Sequence, residues 1–560
     1  MKKRSTEYVV DELVKNGVRT FFGVLGVNVI PLFNAIERGN DRKMISCKTE
    51  LASAYMADGY SRIKGLGCTI TTTGPGVAST VNGVICSYYD SIPVINISAQ
   101  VNISEYGKYG IQEMTGFGRT PNMIGIMDNI TKGAKRVVDK DELCHELKQC
   151  ISTSVSNRKG PTYLEIDEAI LREDDFIDIS DNSIDNIEER DAVSIDNLEA
   201  IIDNIVEEMT LGSQVAIIIG NGVKGVDYRK LELIAEKLGA CVVSTYLGKG
   251  LIDNYSKYYL GTIGCYGNHS ANSYIEEADV ILALGVTFNY LSTAGWSNGL
   301  DDKKIIRIDL DEEELERIYD SYLKLKIDAL EFVNILFKIV ENKEDIKVNR
   351  NKFFLEDYDV KEDIDHIFSP LKIIKVVNKY LDEDSVVVAD VGQNAYWVER
   401  YIKVKGTNNM IVNGGNGSMG YGVAAAVGVR CAQMEQNQSG KVICICGDGG
   451  LMMTGNELST ASTYGIDVIW IVFNNGVLGT QEAWCKRNEY SVDCSCSKVN
   501  YVEYANSQGV EGISVTSIEE FEDAIKKAID SKKPYLIDVS FSKEIIPKSY
   551  YGKNVKTINR

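Results

Sequence analysis

Two stretches, V-I-C-I-C-G-D-G-G over Val442–Gly450 and D-V-I-W-I-V-F-N-N-G over Asp467–Gly476, bracket the unit that decides the fold. Val442 to Cys446 is a short apolar run of buried-strand type, Gly447 to Gly450 reads as a turn, Asn456 to Tyr464 as a helix, and Asp467 to Phe473 as a second strand. A right-handed βαβ crossover lays such strands side by side. Asp448, at the carboxyl end of one strand, then lies near Asn475 at the end of the other. Taken singly, Gly-Asp-Gly-Gly and Asn474-Asn475 are tight turns. Together they bring a carboxylate and an amide oxygen to one place. Magnesium takes few protein oxygens and completes its octahedron with water and phosphate oxygens. Asp448, Asn475 and the backbone carbonyl of Val477 therefore read as the protein half of a magnesium diphosphate site, with amide donors added by the helix start.

At this separation the pair resembles the thiamine diphosphate signature, G-D-G followed about two dozen residues later by N-N. The resemblance extends over nearly the whole chain, to the thiamine diphosphate enzymes that include acetolactate synthase, pyruvate oxidase and the 2-oxo acid decarboxylases. F-F-G-V-L-G-V-N-V-I-P-L-F-N-A-I, with Gly26, is similar to that family's first strand-turn-helix. C-K-T-E-L-A-S-A-Y-M-A-D-G-Y-S-R-I-K-G places Glu50 where its catalytic glutamate stands, and T-T-T-G-P-G-V-A-S-T-V-N-G, with Gly74, resembles its cofactor-facing loop. The resemblance implies that Glu50 hydrogen-bonds the aminopyrimidine ring of a neighbouring subunit's cofactor and promotes loss of the thiazolium proton. A homodimer or homotetramer with active sites at the subunit interface follows. Without the resemblance, Glu50 is an ordinary first-turn acid.

Val412–Gly422, V-N-G-G-N-G-S-M-G-Y-G, contains G-x-G-x-x-G from Gly415 to Gly420. The fingerprint wants an acid at the end of the next strand, about twenty residues on, and the stretch from Gln438 to Lys441 holds none, so a dinucleotide reading is weak. The segment resembles the family loop whose glycine carbonyl, here Gly417, accepts from the cofactor's amino group, with Met419 wedged under the bent cofactor. Gly449 and Gly450 complete the cofactor-binding set. Core filler is the plain alternative for Met419.

Composition agrees with such an enzyme. The chain has 560 residues, 44% hydrophobic and 25% charged, enough for several cores. Its net charge of −20 opposes nucleic-acid and anionic-membrane partners, which it would repel. No apolar run approaches membrane-spanning length, and the charged start has no signal-peptide stretch, so a cytoplasmic location is expected. Thirteen scattered cysteines read as reduced thiols, and Cys485, Cys494 and Cys496 lack metal-site spacing. His145, His269 and His366 read as surface or capping residues.

Two charged linkers, Leu171–Arg190 and Glu341–Lys361, divide the chain. The resemblance implies an α/β protein of three doubly wound domains with parallel sheets: a pyrimidine-binding domain over 1–170, a Rossmann-like domain over 192–340 and a diphosphate-binding domain over 365–545. In the middle domain, V-A-I-I-I-G-N-G-V-K-G (Val215–Gly225) is a strand and glycine turn, followed by a helix to Leu238 and a strand Cys241–Thr245. That second strand ends in Thr245-Tyr246, so the acid that would hold a nicotinamide nucleotide's ribose is missing. FAD-binding relatives often read R-F-D-D-R where this chain has Thr287–Leu291, T-F-N-Y-L, so FAD is not expected.

The reacting carbon's surroundings select the branch. Releasing an aldehyde requires protonation of the carbon left when carbon dioxide departs, and hence acids nearby. Pyruvate decarboxylase-like relatives supply an Asp, a His pair and a Glu. The matching positions here hold Val27, the Gln112-Glu113 region and Gln481. An unquenched carbanion equivalent attacks a second carbonyl instead. Y-G-I-Q-E-M (Tyr109–Met114) resembles the F-Q-E segment of acetolactate synthases, giving Gln112 a substrate contact, with Ile111 replacing the usual Phe. Thr131-Lys132 resembles their V-T-K segment, and Trp484 falls where a Trp shapes their second-substrate pocket. Glu50, Gln112, Lys132 and Trp484 are thus the expected catalytic set. The chain reads as an acetolactate synthase-like carboligase acting on a 2-oxo acid and a carbonyl acceptor. The alternative is a non-ligating 2-oxo acid decarboxylase. Departures at Val27, Asn28, Ile111 and the arginine pair, replaced by Thr287 and Leu291, leave acceptors other than pyruvate open.

Overall fold

The structure is a computed structural model that describes residues 2–172, 176–178, 195–210, 213–343, 368–407, 409–496 and 498–547. Most of both charged linkers, and His366, lie outside the described residues.

Three six-stranded parallel sheets carry the chain. The first contains β1 (Thr20–Gly23), β2 (Lys43–Ser46), β3 (Gly67–Thr71), β4 (Val94–Gln100), β5 (Ala134–Val137) and β6 (Thr162–Asp167), in the order β2-β1-β3-β4-β6-β5. The second contains β7 (Val215–Ile219), β8 (Cys241–Ser244), β9 (Tyr259–Thr262), β10 (Val280–Leu284), β11 (Lys304–Asp309) and β12 (Leu323–Lys326), in the order β9-β8-β7-β10-β11-β12. The third contains β13 (Val386–Ala389), β14 (Met410–Val412), β15 (Val442–Gly447), β16 (Val468–Asn474), β17 (Glu511–Val515) and β18 (Tyr535–Ser540), in the order β14-β13-β15-β16-β18-β17. The first and third sheets share one strand order. The second has the doubly wound dinucleotide-fold order. Central strands such as V-A-I-I-I and V-I-W-I-V-F are apolar at nearly every position because helices cover both faces of each sheet.

The helices that matter here are α1 (Glu50–Lys64), α2 (Pro75–Tyr89), α3 (Leu143–Val155), α4 (Tyr228–Leu238), α5 (Gln393–Tyr401), α6 (Tyr421–Glu435), α7 (Asp448–Thr454), α8 (Glu457–Tyr464) and α9 (Gly479–Arg487). Helices α1 and α6 bind the first domain to the third. Any side chain at Gly59 would collide with the Ala425 carbonyl, and one at Gly428 with that of Met56, so glycine lets the two backbones touch. One apolar core runs through this contact, from Phe22, Tyr55 and Met56 to Ala424, Val427 and Trp470. A buried polar network lies within it: Arg62 pairs with Asp58 and Asp90 at 2.7 Å each, and the Tyr421 hydroxyl donates to Asp58. Among the described residues no helix is long and apolar enough to cross a membrane.

The expected turn at Gly447–Gly450 is the first turn of a helix, because Gly447 is extended and α7 begins at Asp448, whose carboxylate accepts from the Gly449 amide at 2.9 Å. The rest of the unit follows its expected course, with α8 and then β16 parallel to β15.

Candidate functional site

The register of β15 on β16 sets Gly447 opposite Phe473, so Asp448 and Asn475 leave neighbouring strands at the same level. They border a cleft of about 170 Å³ lined also by Gly417, Met419, Gly449, Gly450 and Val477. The cleft lies at the carboxyl ends of β13, β15 and β16, where the third sheet's order reverses and open parallel sheets bind ligands. Asp448 is buried, and its second oxygen accepts from the Gly476 amide at 2.9 Å. Burial pushes its carboxyl up to about 6 against these amide bonds. The two asparagines part company. Asn474 turns to Asp538 on β18 at 3.0 Å, while Asn475 stays at the cleft and accepts from the Val477 amide at 3.2 Å. An antiparallel bridge of Val477 with Ser495, flanked by Leu478 donating to the Cys494 carbonyl and Cys496 to that of Gly476, fixes this loop.

Asp390, at the end of β13, organises the other wall and was not singled out from the sequence. Its carboxylate, fully buried, accepts from the Gly420 amide at 3.0 Å and the Gly422 amide at 2.9 Å. Burial pushes this group up to about 6, and the amides pull it back. A side chain at Gly450 would strike it, so Asp390 joins the Val412–Gly422 loop to the first turn of α7. The signal was present: an acid ending the apolar run V-V-V-A, just as Asp448 ends another. Met419 faces Gly449, whose absent Cβ would lie 3.2 Å from the Met419 methyl group, and Gly417 takes a left-handed φ of 66° with open space beside it.

The residues expected in the first domain also gather. Gly26 packs on Thr72, and Gly74, in a positive-φ turn, packs on Gln112. Thr73 donates to the Gln112 carbonyl at 3.2 Å. Gln112 points outward, whereas its neighbour Glu113 is buried and accepts from the Gly107 and Gly110 amides and the Thr115 hydroxyl. Glu50 opens α1 behind its N-cap Thr49, half-buried, 3.5 Å from the Cβ position of Gly76. This first-domain group does not line the Asp448 cleft of its own chain.

Two members of the expected catalytic set sit apart. The Lys132 ammonium donates to the Thr153 carbonyl and, at 2.7 Å, to that of Ser156, closing the carboxyl end of α3. Partial burial pushes it down to about 8. Trp484 lies on α9, which buries none of its residues, and is 58% exposed. The first turn of that helix, Gly479 to Gln481, reaches the cleft, and Gln393 donates to the Gly479 carbonyl at 2.8 Å. All thirteen cysteines are free thiols. His145 is exposed, and so is His269, the first residue of its helix.

A second cavity, of about 390 Å³, opens between the first and middle domains at the ends of β7, β10 and β11. The middle-domain glycines have a packing explanation. Side chains at Gly220 and Gly222 would run into Gly285. Thr287 lines the cavity, and Arg158 reaches it from the first domain, but that guanidinium is paired with Asp311 at 2.7 Å and Glu314 at 3.2 Å.

The Asp448 cleft fits a magnesium-bound diphosphate. Its donors are hard oxygens, and Gly449 and Gly450 line it where a side chain would strike Leu478 or the Asp390 carboxylate. Residues 3–118 match the N-terminal TPP binding domain of thiamine pyrophosphate enzymes, 202–336 their central domain, and 390–539 their C-terminal TPP binding domain. The chain is 28% identical to the acetolactate synthase large subunit of Lactococcus lactis, over 96% of this chain and 92% of that protein. It is 26% identical to the Haemophilus influenzae acetolactate synthase large subunit, over 99% and 97%. With the Escherichia coli acetolactate synthase isozyme 2 large subunit the identity is 27%, over 95% of each.

Proposed function

The chain belongs to the thiamine pyrophosphate enzymes, and on that premise we propose that it is a carboligase, removing carbon dioxide from a 2-oxo acid, pyruvate first among candidates, and joining the acyl unit to a second carbonyl compound. When bound, thiamine diphosphate supplies the carbon that takes up the 2-oxo acid and holds the electron pair left by carbon dioxide. Asp448, Asn475 and the Val477 carbonyl would hold magnesium, and Gly417 and Met419 would contact the cofactor beside Gly449 and Gly450. Glu50 carries the proton at the aminopyrimidine, and Gln112 touches substrate.

Because Glu50 does not line its own chain's cleft, the working unit is a dimer or tetramer in which one subunit's Glu50 meets another's Asp448 site. Apolar side chains beside Gly26 and Gln112 support a covering partner, since Val27 is 82% exposed and Ile111 87%.

One observation carries the ligation reading. Val27, Gln112 and Gln481 offer no ionisable acid at the positions that deliver protons in aldehyde-releasing relatives. The similarity to acetolactate synthase large subunits supports it. Mass spectrometry of products from pyruvate, alone and with a panel of aldehydes and ketones, tests it, and carbon–carbon products are expected. Aldehyde as the only product at every acceptor concentration establishes the decarboxylase alternative instead.

A further inference from the structure

The turn that delivers Glu50 is held from the opposite domain. Residues 47–49 connect β2 to α1, and the side chains of Lys48 and Thr49 face solvent. Their backbone is nevertheless fixed. The Glu457 carboxylate, 1% exposed at the start of α8, accepts from the Lys48 amide at 3.0 Å and the Thr49 amide at 3.1 Å. The Thr460 hydroxyl orients that carboxylate from behind at 2.7 Å. Seven residues further along α8, the Tyr464 hydroxyl accepts from the Ser46 amide at 2.9 Å. Thr49 in turn caps α1 by accepting from the Ala52 amide. A buried carboxylate that accepts backbone amides across a domain boundary is a stiff link, because charge-assisted bonds are short and strong and losing them exposes donors to a poor environment.

We propose that Glu457 is a positioning residue for Glu50: it fixes the Lys48-Thr49 backbone so that the Glu50 carboxylate stands where it acts on the cofactor. This rests on the role given to Glu50 above. Glu457 sits on the helix that follows α7, whose first residue is Asp448. In the proposed dimer one subunit's Asp448 holds one cofactor while its Glu50 serves the other. Glu457, on the helix after the metal-holding α7, therefore ties one active centre to the acid of the next. No other first-domain element carrying site residues has this attachment to α8 among the described contacts.

The test begins without cofactor. Glu457→Met keeps the volume and removes the acceptors. It should raise amide hydrogen exchange of the 46–50 segment about tenfold or more while exchange in β3 and β4 is unchanged. In the loaded protein, proton–deuterium exchange at the thiazolium carbon should fall about tenfold with thiamine diphosphate affinity retained, since a small displacement of a catalytic group costs that much or more. Glu457→Gln keeps one acceptor oxygen for both amides and should recover most of the rate. Placed in a Glu50→Ala background, Glu457→Met should cause no further loss, because nothing remains to be positioned. Thr460→Val gives the same effects in smaller measure if Glu457→Met does not fold. An equal additional loss in the Glu50→Ala background, or unchanged exchange of the 46–50 amides, overturns the proposal. Undiminished thiazolium exchange in Glu50→Ala alone overturns the role of Glu50 itself.

Discussion

The Asp448 carboxylate accepts the backbone N–H of Gly476 at 2.9 Å, so the residue after β15 is stapled to the loop after β16 before any metal arrives. The same side chain is thereby both a proposed magnesium ligand and the support of the loop that carries Asn475 and Val477.

Asp448→Ala should abolish magnesium-dependent retention of thiamine diphosphate, weakening it about a hundredfold or more, because ligand and ligand support go together. The cofactor-free fold should lose only about 1–3 kcal/mol, the cost of leaving the Gly449 and Gly476 amides without their acceptor. Calorimetric titration with and without magnesium measures the first, and urea unfolding the second. Unaltered affinity sinks the metal assignment.

Asp390→Asn places an amide donor against one of two glycine amides, Gly420 or Gly422, which both need acceptors. The Val412–Gly422 loop should loosen, and thiamine diphosphate affinity should drop about 10- to 100-fold with magnesium saturating. Equilibrium dialysis of the cofactor is sufficient to check it.

Lys132 separates a capping role from a catalytic one. Its folded value of about 8 lies below the ordinary 10.5, so between these the unfolded chain binds more protons and stability attributable to this residue rises with pH. Urea unfolding of Lys132→Met from pH 7 to 10.5 should lack that rise. Turnover at saturating cofactor should change less than about fivefold if the ammonium serves only the end of α3. A hundredfold loss of turnover with unchanged stability would restore the catalytic assignment.

The middle cavity should carry no flavin. Thr287 and Leu291 cannot pair with a phosphate as arginines do, and Arg158 is already engaged by Asp311 and Glu314. The purified protein should be colourless and its activity independent of added FAD. Stoichiometric flavin absorbance after gel filtration contradicts this.

Trp484→Ala should alter which acceptor is chosen, read as a changed ratio of ligated products, with the rate of decarboxylation within about threefold of the parent. An exposed tryptophan on the helix whose first turn reaches the cleft is placed to meet an acceptor rather than the cofactor. If the product ratio is constant while decarboxylation falls, Trp484 belongs to the first half-reaction.

The βαβ unit around Asp448 and Asn475 was legible because its signals are local: apolar runs of strand length, glycines where backbone must turn, and polar residues at strand ends. The three parallel sheets match what the family resemblance implied. Local pattern also misled. Gly447–Gly450 has the composition of a turn, yet it opens a helix because Asp448 satisfies its own first amide. The middle-domain G-x-G-x-x-G has the spacing of a nucleotide loop without the acid that would accompany it, and its Gly220 and Gly222 pack on the Gly285 backbone.

What the amino-acid sequence determined by itself was therefore the fold class and the oxygen-rich strand ends, since periodicity and turn chemistry are written within some ten residues. Only the tertiary structure decided that Asp390 clamps Gly420 and Gly422, that Lys132 serves α3, and that Glu457 holds the backbone ahead of Glu50 across more than four hundred residues of chain. The last of these joins elements brought together where the first domain packs on the third, α1 against α6. A hydrogen bond between distant residues leaves no mark on the local pattern of either.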